Sequence, residues 1–389
     1  MIQYILIIIA VVIIMIYITI RLTFKFWAIQ PVFHIYDMHH WMNPDHVIDI
    51  ALPKANKYVK LLDVETRDVK DVSQDERDML TKFICENYLD KYSPEDNDIF
   101  PYFSTSLGKS HLSIFLDNVF KNSISNLNYK GRDVIGIITS RPLFLTFSGK
   151  ESMIINYIDN LNVRTDRRKE GIAPNLIQTH HYHIRHLNNN INVCMFKREN
   201  EMTAIVPLTL YARKEFDIND VCFKRVKSSY PLIKIDKRNF IQFKTMVKLC
   251  ATRFKCTLNI EQTTLFELVM LSKIVIYVLL NGTTPICCYV LRRNPYVSDR
   301  LLKCVDLISS INCSPFIEVF FAGFQSLCRR ENKKQKISRI NIEELGDSCA
   351  LSTEVQSRGI KVCSQCPCAF FLYNYVHYSI KPEECLFIY

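Results

Sequence analysis

The chain has 389 residues, enough for two compact domains or one large one, and 48% of them are hydrophobic, so a sizeable core can form. Its formal net charge of +10 suits an acidic partner such as a membrane surface, a phosphorylated cofactor or nucleic acid, but a solvated basic surface without a special partner has the same charge. Its fifteen cysteines, irregularly spaced in so long a chain, exclude a small disulfide-stabilised domain and favour free thiols in a reducing compartment.

The first segment, Met1 to Ile20, carries no charge and is almost wholly aliphatic. About twenty apolar residues cross the core of a bilayer. A cleaved signal peptide needs a basic start, a shorter apolar stretch and a small-residue cleavage site, and none is present. The first charges, Arg21 and Lys25, follow the segment, so the positive-inside rule predicts that the rest of the chain faces the cytosol. We therefore expect residues 1–21 to be a single transmembrane anchor; a buried core helix is the alternative.

Periodicity predicts the elements of the next part of the chain. After a mixed approach segment at 22–75 they are an amphipathic helix at 75–92, an acidic loop at 90–98, a hairpin of strands 134–139 and 143–147 that turns at Arg141-Pro142, a strand at 154–163, a basic loop at 164–171 and a helix at 173–186. The order of strand, strand, basic glycine-containing loop and helix is the main organising feature here.

A second mixed unit begins after residue 216. Its predicted elements are strands at 265–270, 273–280 and 285–292, with a turn at Asn281-Gly282, a helix at 315–330, an exposed basic stretch at 329–336, and strands at 337–342 and 369–375. The chain therefore reads as two α+β halves of similar size.

One loop has the composition of a phosphate-binding site. Residues 167–173 read Arg-Arg-Lys-Glu-Gly-Ile-Ala between a predicted strand and a predicted helix. Unpaired N–H groups and the helix dipole favour an anion at a helix N-terminus, and Gly171, which has no Cβ, lets the backbone approach it. A charged turn with an incidental glycine is the alternative. The strands before the loop favour the arrangement in which acetyltransferases of the GNAT type hold CoA.

Four segments carry a resemblance to one enzyme family. They are Lys25-Phe26-Trp27-Ala28-Ile29-Gln30-Pro31-Val32, Glu86-Asn87-Tyr88 with the acidic loop after it, residues 158–177 with Ala173-Pro174-x-Leu176-Ile177, and Leu372-Tyr373-Asn374-Tyr375. In order and spacing they resemble the Phe-Trp-x-x-Gln-Pro-Val, Glu-Asn-Tyr, CoA-binding and closing Leu-Tyr-Asn-Trp segments of eukaryotic N-myristoyltransferases. The resemblance covers essentially everything after the anchor.

The resemblance implies a fold and a set of site residues. The fold would be α+β, two fused GNAT-like halves after the anchor: residues 22–215 for acyl-CoA binding and residues 216–389 for the peptide side. Acyl-CoA would enter beside Phe24, Lys25, Phe26 and Trp27, its pyrophosphate would bind at Arg168, Lys169, Glu170, Gly171, Ile172 and Ala173, the backbone amides of Asn160 and Leu161 would form the oxyanion hole, and the C-terminal carboxylate of Tyr389 would be the general base.

The C-terminal segment independently supports the last of these roles. Residues 385–389 are Cys-Leu-Phe-Ile-Tyr, which is apolar enough to be buried, whereas chain termini are usually polar and frayed. Burial raises the pKa of a carboxylate and makes it a stronger base. It would deprotonate the substrate's glycine ammonium, and the oxyanion hole would stabilise the tetrahedral intermediate. A strand that completes a core sheet is the alternative, and both can hold together.

The departures from the family concentrate on the peptide side. Asn160 stands where the family has phenylalanine, Asp159 where it has asparagine, and Tyr211-Ala212-Arg213 where it has a Tyr-Trp-His stretch, while Glu170 adds a negative charge to the phosphate loop. The acyl length and the acceptor are therefore the least constrained features.

The sequence predicts a single-pass membrane N-acyltransferase that moves a long acyl chain, myristoyl in the family, from CoA to the N-terminal glycine of a protein. Two alternatives stay open: a GNAT-type acetyl- or acyltransferase with another amine acceptor, and an inactive relative that binds acyl-CoA or peptide at a membrane. Acyl-CoA is expected as co-substrate, without a prosthetic group, a nucleic-acid partner or oligomerisation. The cluster Cys363, Cys366 and Cys368 and the pair His183 and His186, on a helix expected to be exposed, are not expected to bind metal.

Overall fold

The computed structural model describes residues 2–87, 99–118, 128–129, 131–200, 204–223, 226, 230–297 and 303–389. Within these ranges the helices are α1 (Ile2–Thr23), α2 (Met38–Met42), α3 (Gln74–Asn87), α4 (Ile172–Leu187), α5 (Ile218–Phe223), α6 (Phe240–Cys250), α7 (Gln262–Met270), α8 (Ile317–Gln335) and α9 (Ser348–Ser357). The strands are β1 (His46–Val47), β2 (Val64–Asp68), β3 (His111–Asn118), β4 (Asn128–Tyr129), β5 (Arg132–Phe147), β6 (Met153–Val163), β7 (Cys194–Glu199), β8 (Thr209–Asp217), β9 (Leu232–Lys234), β10 (Cys256–Asn259), β11 (Ile274–Asn281), β12 (Thr284–Val297), β13 (Lys303–Asn312), β14 (Ile337–Glu343), β15 (Val362–Tyr373), β16 (Tyr375–Val376) and β17 (Cys385–Ile388).

One large mixed sheet runs through the body of the protein. Its main path is β17-β10-β5-β6-β7-β15-β8-β14-β13-β12-β11-β9, and β3, paired with β2, and β4 also pair with β5. The pairs β6–β7, β13–β14 and β10–β17 are parallel. The α+β prediction is confirmed. The sheet continues across residue 215, which lies inside β8, and the division into halves at 22–215 and 216–389 stays a prediction.

The same sequence of elements occurs twice along the chain. The first unit consists of β5, β6, α4 and β7, and the second unit of β12, β13, α8 and β14. In each unit an antiparallel pair is followed by a helix and then by a strand parallel to the second strand of the pair. The apolar side chains of α8, including Phe320, Phe321 and Phe324, form the centre of one core cluster, and the C-terminal residues form part of the largest one.

The hairpin predicted at 134–147 is wrong, because the segment forms the single strand β5. Pro142 has no N–H to donate and is usually confined to edges and gaps in a ladder. Here it lies in such a gap: β3 pairs with β5 as far as Ser140, and β10 begins to pair at Phe144. The missing donor therefore costs no interstrand hydrogen bond on that side, and the strand runs through the Arg141-Pro142 dipeptide.

Two further predictions are wrong and most others are confirmed. Residues 265–270 belong to helix α7, whose buried Leu265, Leu268 and Val269 follow helical spacing. The basic stretch at 329–336 is mostly the last turns of α8, which extends to Gln335. The strand at 154–163, the helix at 173–186, the hairpin turn at Asn281-Gly282 and the strands near 273–280, 285–292 and 337–342 are present. The described part of the helix predicted at 75–92 ends at Asn87, and the acidic loop at 90–98 lies outside the described residues.

The N-terminal segment forms a helix long and apolar enough to cross a membrane. Residues Gln3–Thr23 meet both conditions, and none of this stretch is buried against the protein. The ring of Tyr17 near its end contacts the ring of Tyr36, with centroids 5.0 Å apart. The end of α1 therefore lies against the body of the protein.

Candidate active site

A cavity of about 950 Å³ opens in the sheet beside the first unit. The strands β6 and β7 pair only from Asn156 to Ile158, opposite Cys194 to Phe196, although both strands continue further. Where they separate, the cavity is lined by Asn160 and Leu161 of β6, by Ala173 of α4, and by Tyr389 at the C-terminus. The cavity thus connects the turn before α4 with the end of the chain.

The predicted phosphate loop leads into this cavity. Gly171 caps α4 with φ +79°, a conformation that favours glycine, and Lys169 also has a positive φ of 71°. Arg168, Lys169, Glu170 and Gly171 are exposed, whereas Ile172 is buried in the core. Of the six predicted loop residues, the structure brings only Ala173 into the cavity lining. The other five lie immediately before it in the turn.

The guanidinium groups of this loop are already held by protein acceptors. Arg167 pairs with Asp117 and with Glu170, each at 2.8 Å. Arg168 donates to the carbonyl oxygens of Asn87 and Val163. A charge expected to bind phosphate, that of Arg167, is therefore partly neutralised by the Glu170 that departs from the family pattern. The exposed N–H groups at the start of α4 are the remaining attraction for an anion.

The aromatic segment after the anchor contributes two of its four predicted residues. Phe26 and Trp27 line the cavity, whereas Phe24 and the exposed Lys25 do not. Trp27 stacks on Phe196 of β7 with a centroid distance of 5.5 Å. The cavity wall next to β7 is therefore aromatic and apolar at this end.

A bulge in β6 lies at the residues predicted for the oxyanion hole. The register between β5 and β6 shifts between Ile137 and Thr139, and Asn160 adopts a positive φ of 50°. The backbone N–H of Asn160 donates to the carboxylate of Asp159 at 2.9 Å, and its side-chain amide donates to Thr139 at 3.0 Å. One of the two predicted amides therefore already has an anionic partner, because aspartate replaces the family's asparagine.

The C-terminus is buried, as its composition predicts. The terminal strand β17 pairs in parallel with β10, and Tyr389 is only 1% exposed. Its ring packs against Tyr157 and Phe370, with centroids 5.4 and 5.3 Å away. Its phenol lies 3.0 Å from the carboxylate of Glu343. Burial first and Glu343 second raise the pKa of this phenol to about 12, so it is a neutral hydrogen-bond donor at physiological pH.

A buried charged cluster surrounds the C-terminus, and sequence reasoning missed most of it. Glu343 at the end of β14 accepts from Lys197 at 2.9 Å and from the Tyr211 phenol at 2.9 Å, and Arg292 lies 3.5 Å away. Burial alone raises the pKa of Glu343, but Lys197 and Arg292 together with these hydrogen bonds lower it to about 2. Burial likewise lowers the pKa of Lys197, yet Glu343 raises it well above its usual value. The pair is therefore ionised and stays so at physiological pH.

The cluster extends along the cavity wall. Arg213, at a position where the family's peptide groove differs, pairs with Glu199 at 3.0 Å. Arg292 pairs with Asp306 at 3.4 Å, and Asn341 donates to Asp306 at 2.8 Å. Lys197, Arg213 and Arg292 have charged neighbours in their own strands, so no local pattern in the sequence singled them out.

Arg141 lies deep in the same cavity. It is 3% exposed, and its guanidinium lies over the rings of Tyr102 and Tyr157 at 5.2 and 5.4 Å from their centroids. Its buried Nη1 atom has no hydrogen-bond partner. Burial lowers the pKa of Arg141, and Asp159 partly offsets this.

The histidine-bearing helix α4 is not exposed as predicted. His180 and His181 are 1% and 7% exposed, because α4 packs against β5 and β3. Burial, with Arg185 second, lowers the pKa of His181 to about 3. Burial also holds the pKa of His180 well below its usual value. These histidines are neutral core residues.

Potential metal ligands converge elsewhere in the described part of the chain. Asp37, His39 and His40 are the one such group there, and Asp37 serves as the N-cap of α2, where it accepts from the His40 N–H. The group lies outside the cavity lining. It therefore contributes nothing to the candidate site.

The fold is a continuous mixed sheet with a cavity where two parallel strands part. The structure is similar to three crystal structures of Saccharomyces cerevisiae N-myristoyltransferase with bound myristoyl-CoA, one of them also with inhibitors. The TM-scores are 0.68, 0.67 and 0.66 at 15%, 15% and 14% identity, over 92–93% of this chain and 94%, 90% and 93% of those chains. No family model and no curated protein matches the sequence. The resemblance inferred from the four segments is thus confirmed at the level of the fold.

Proposed function

We propose that this protein is an N-acyltransferase that transfers a long acyl chain, such as myristoyl, from CoA to the N-terminal glycine of an acceptor protein. The observation that carries the proposal is a fold shared with N-myristoyltransferase over 92% of the chain, together with a cavity that joins the α4 turn to a buried C-terminus. Acyl-CoA is the co-substrate, and the chemistry needs no prosthetic group.

In this proposal the two ends of the cavity have different roles. The CoA pyrophosphate binds at the exposed start of α4, from Arg168 to Ala173, where backbone N–H groups and the helix dipole favour an anion. The thioester lies beside Phe26, Trp27 and the bulge at Asn160 and Leu161. The acceptor enters from the side of Tyr389, opposite the phosphate loop.

The proposed reaction is a direct transfer. The C-terminal carboxylate of Tyr389 takes a proton from the glycine ammonium, and the freed amine nitrogen attacks the thioester carbonyl carbon. The amides of Asn160 and Leu161 stabilise the oxyanion that forms. The C–S bond then breaks, CoA leaves as a thiolate that takes up a proton, and an amide bond remains. The Asp159 carboxylate must first release the Asn160 N–H.

That requirement favours one alternative, an inactive relative that binds acyl-CoA and peptide at a membrane. The observations behind it are the occupied Asn160 amide and the buried Lys197 ammonium near Tyr389. A cation in that place repels the ammonium of an incoming glycine. The alternative predicts acyl-CoA binding without transfer.

The helix α1 is proposed as a single-pass anchor, with the body on the cytosolic side. Its contact with Tyr36 brings α2 close to the bilayer surface, and Met38, Trp41 and Met42 of α2 are exposed there. Tryptophan is enriched at membrane interfaces. The anchor would concentrate long-chain acyl-CoA at the cavity. If the full chain does not float with phosphatidylcholine liposomes, or floats equally well without residues 1–21, this role is wrong.

The decisive experiment incubates the full chain in detergent with a glycine-starting peptide and a panel of acyl-CoAs, with mass spectrometry as the readout. We expect acylation of the glycine amine, with long chains preferred. Adding one glycine after Tyr389 should abolish transfer without loss of acyl-CoA binding, because it moves the carboxylate. The same glycine added at the N-terminus is the matched control. Binding without transfer for any acyl-CoA would identify the inactive relative.

A further inference from the structure

Among the described residues, seven lysines and arginines line the cavity; Arg198 has a partner of its own, and the other six fall into two groups. Lys197, Arg213 and Arg292 each form ion pairs with carboxylates of the protein. Arg141, Lys273 and Arg293 also line the cavity, but within the described part of the chain they form no ion pair. The second group is available to a ligand.

Arg141 is the most buried member of this group. Burying a charge destabilises a protein unless a ligand or a counter-charge compensates it. Here two tyrosine rings, those of Tyr102 and Tyr157, hold the guanidinium, and its Nη1 donor remains without an acceptor. Guanidinium presents paired N–H donors that match the two oxygens of a carboxylate. The Nη1 group of Arg141 can therefore donate a hydrogen bond to a carboxylate oxygen of a ligand.

Lys273 and Arg293 form a second site of the same charge. They lie opposite each other at the start of the β11–β12 ladder, where the Arg293 N–H donates to the Lys273 carbonyl at 3.2 Å. Both side chains are half-buried. Like charges opposite each other across a sheet destabilise it. Within the described residues no ion pair offsets this repulsion. An anionic ligand bound between the two side chains would offset it.

Both sites lie at the end of the cavity that holds the C-terminus. Arg141 pairs across the sheet with Tyr157, whose ring contacts Tyr389 at 5.4 Å. Arg292, next in the chain to Arg293, lies 5.1 Å from the centroid of the Tyr389 ring. In the proposed function the CoA phosphates bind at the turn before α4, so we assign these cations to the acceptor side.

We propose that Arg141, with Lys273 and Arg293, binds carboxylates of the acceptor, so that the preferred acceptor is a protein N-terminus with aspartate or glutamate in the residues directly after its glycine. The inference rests on the proposed acyl transfer and names its substrate class. It also gives a reason for a buried arginine that forms no contact with an internal carboxylate.

The test is a peptide-binding measurement. The full chain in detergent micelles is loaded with a non-hydrolysable thioether analogue of myristoyl-CoA, and matched peptides that begin Gly-Glu-Glu, Gly-Gln-Gln or Gly-Lys-Lys are titrated by calorimetry. We expect the acidic peptide to bind about tenfold more tightly than the amide peptide, and the basic one to bind worst. Equal binding, or preference for the amide or basic peptide, would overturn the inference.

Variants separate recognition from structure. Arg141→Met should remove most of the acidic preference, leave affinity for the CoA analogue unchanged and raise the melting temperature, because it removes a buried charge that Asp159 compensates only in part. Arg132→Met, at a half-buried arginine outside the cavity lining that pairs with Asp63, is the control and should keep the preference. A lower melting temperature with the preference intact would show that Arg141 is structural. If Arg141→Met does not fold, the double variant Lys273→Met/Arg293→Met should show a partial loss of preference.

The same peptides distinguish this inference from the proposed function. Acidic preference in binding without any transfer means that the anion site is real and the protein is inactive. Transfer with no preference for acidic peptides means that the enzyme assignment holds and the acceptor inference fails.

Discussion

The first and second units have the same order of elements, but the first unit contains a cavity and the second unit has a filled core. In the first unit the parallel strands β6 and β7 pair over three residues and then part to form the cavity. In the second unit β13 and β14 pair from Lys303 to Leu307. Beyond that point the start of α9 occupies the space: Ser348 lies 2.7 Å from Ser310, and Asp347 accepts the Asn312 N–H at 2.7 Å. The second unit thus fills with its own chain the place where the first unit leaves a cavity.

The turns before the two helices differ in the same way. Before α4 the chain is basic and ends in Gly171 with a left-handed backbone. Before α8 it reads Cys-Ser-Pro-Phe and is uncharged, and α8 packs Phe320 and Phe324 against Tyr289. Topology alone therefore does not make a ligand site; the residues of the turn and the length of the strand pairing do.

An ion pair connects the two units. Lys197 comes from β7 of the first unit and Glu343 from β14 of the second, at the ends of their parallel strands. The second unit therefore has a structural interior, but the end of its last strand supplies a charge to the cavity.

Breaking this ion pair between the two units should have the largest effect on the unfolding free energy. Glu343→Gln leaves Lys197 and Arg292 buried without their carboxylate and should cost about 3–5 kcal/mol of unfolding free energy. The pKa of Glu343 is about 2 in the folded protein and ordinarily 4.5. The folded form therefore binds protons less readily, so the stabilisation is complete above pH 4.5 and is lost as the pH falls towards 2. Urea unfolding across this range should show that slope in the wild type and not in the variant; the same slope in both would contradict the assignment.

A substitution inside the filled core of the second unit should have the next largest effect on stability. A Cβ on Gly323 of α8 would collide with the Tyr289 phenol, so Gly323→Ala should cost about 1–3 kcal/mol by overpacking. Affinity for acyl-CoA should not change, because the second unit does not hold the cofactor. Thermal unfolding and acyl-CoA titration check both parts, with Gly108→Ala, whose Cβ would meet only ordinary contacts at 3.7 and 3.8 Å, as the control. A weaker acyl-CoA affinity in Gly323→Ala would show that the two interiors are coupled.

A glycine substitution in the first unit should have the smallest effect on stability and the largest effect on CoA affinity. Gly171→Val meets no atom within 4 Å but must adopt a positive φ, which costs about 1–2 kcal/mol. We expect CoA affinity to fall about tenfold through the altered backbone at the helix start. Isothermal titration with CoA measures this, and Gly149→Val, at a similar φ in a distant turn, is the control. Unchanged affinity would mean that the phosphate loop is misplaced.

Much of the first unit was predictable because its signals are local. The basic loop, the glycine at the start of α4 and the strand at 154–163 depend on neighbouring residues, and the structure has each of them. The hairpin at 134–147 failed because the effect of Pro142 on pairing depends on where β3 ends and β10 begins, and neither is near in sequence. The prediction of an exposed histidine-bearing helix is wrong for the same reason, since the strands that bury His180 are distant from it in the sequence.

The candidate site shows the same limit. Trp27, Asn160, Ala173 and Tyr389 were named from the sequence and line one cavity. Their partners Glu343, Lys197 and Arg292 carried no local pattern, because their charges are compensated only across the sheet. Arg141 was taken for a turn residue, although a charge within an apolar run was the available signal.

The sequence by itself determined the α+β class, the apolar N-terminal helix, the basic loop before α4 and the apolar C-terminus, because each follows from composition and short-range spacing. Only the tertiary structure decided which parallel pair opens into a cavity, which charges meet beside Tyr389 and which cations remain uncompensated. These depend on the register of strands far apart in the chain and on what fills the space between them. The partners that compensate a buried charge come together only in the assembled sheet, because they are far apart in the sequence.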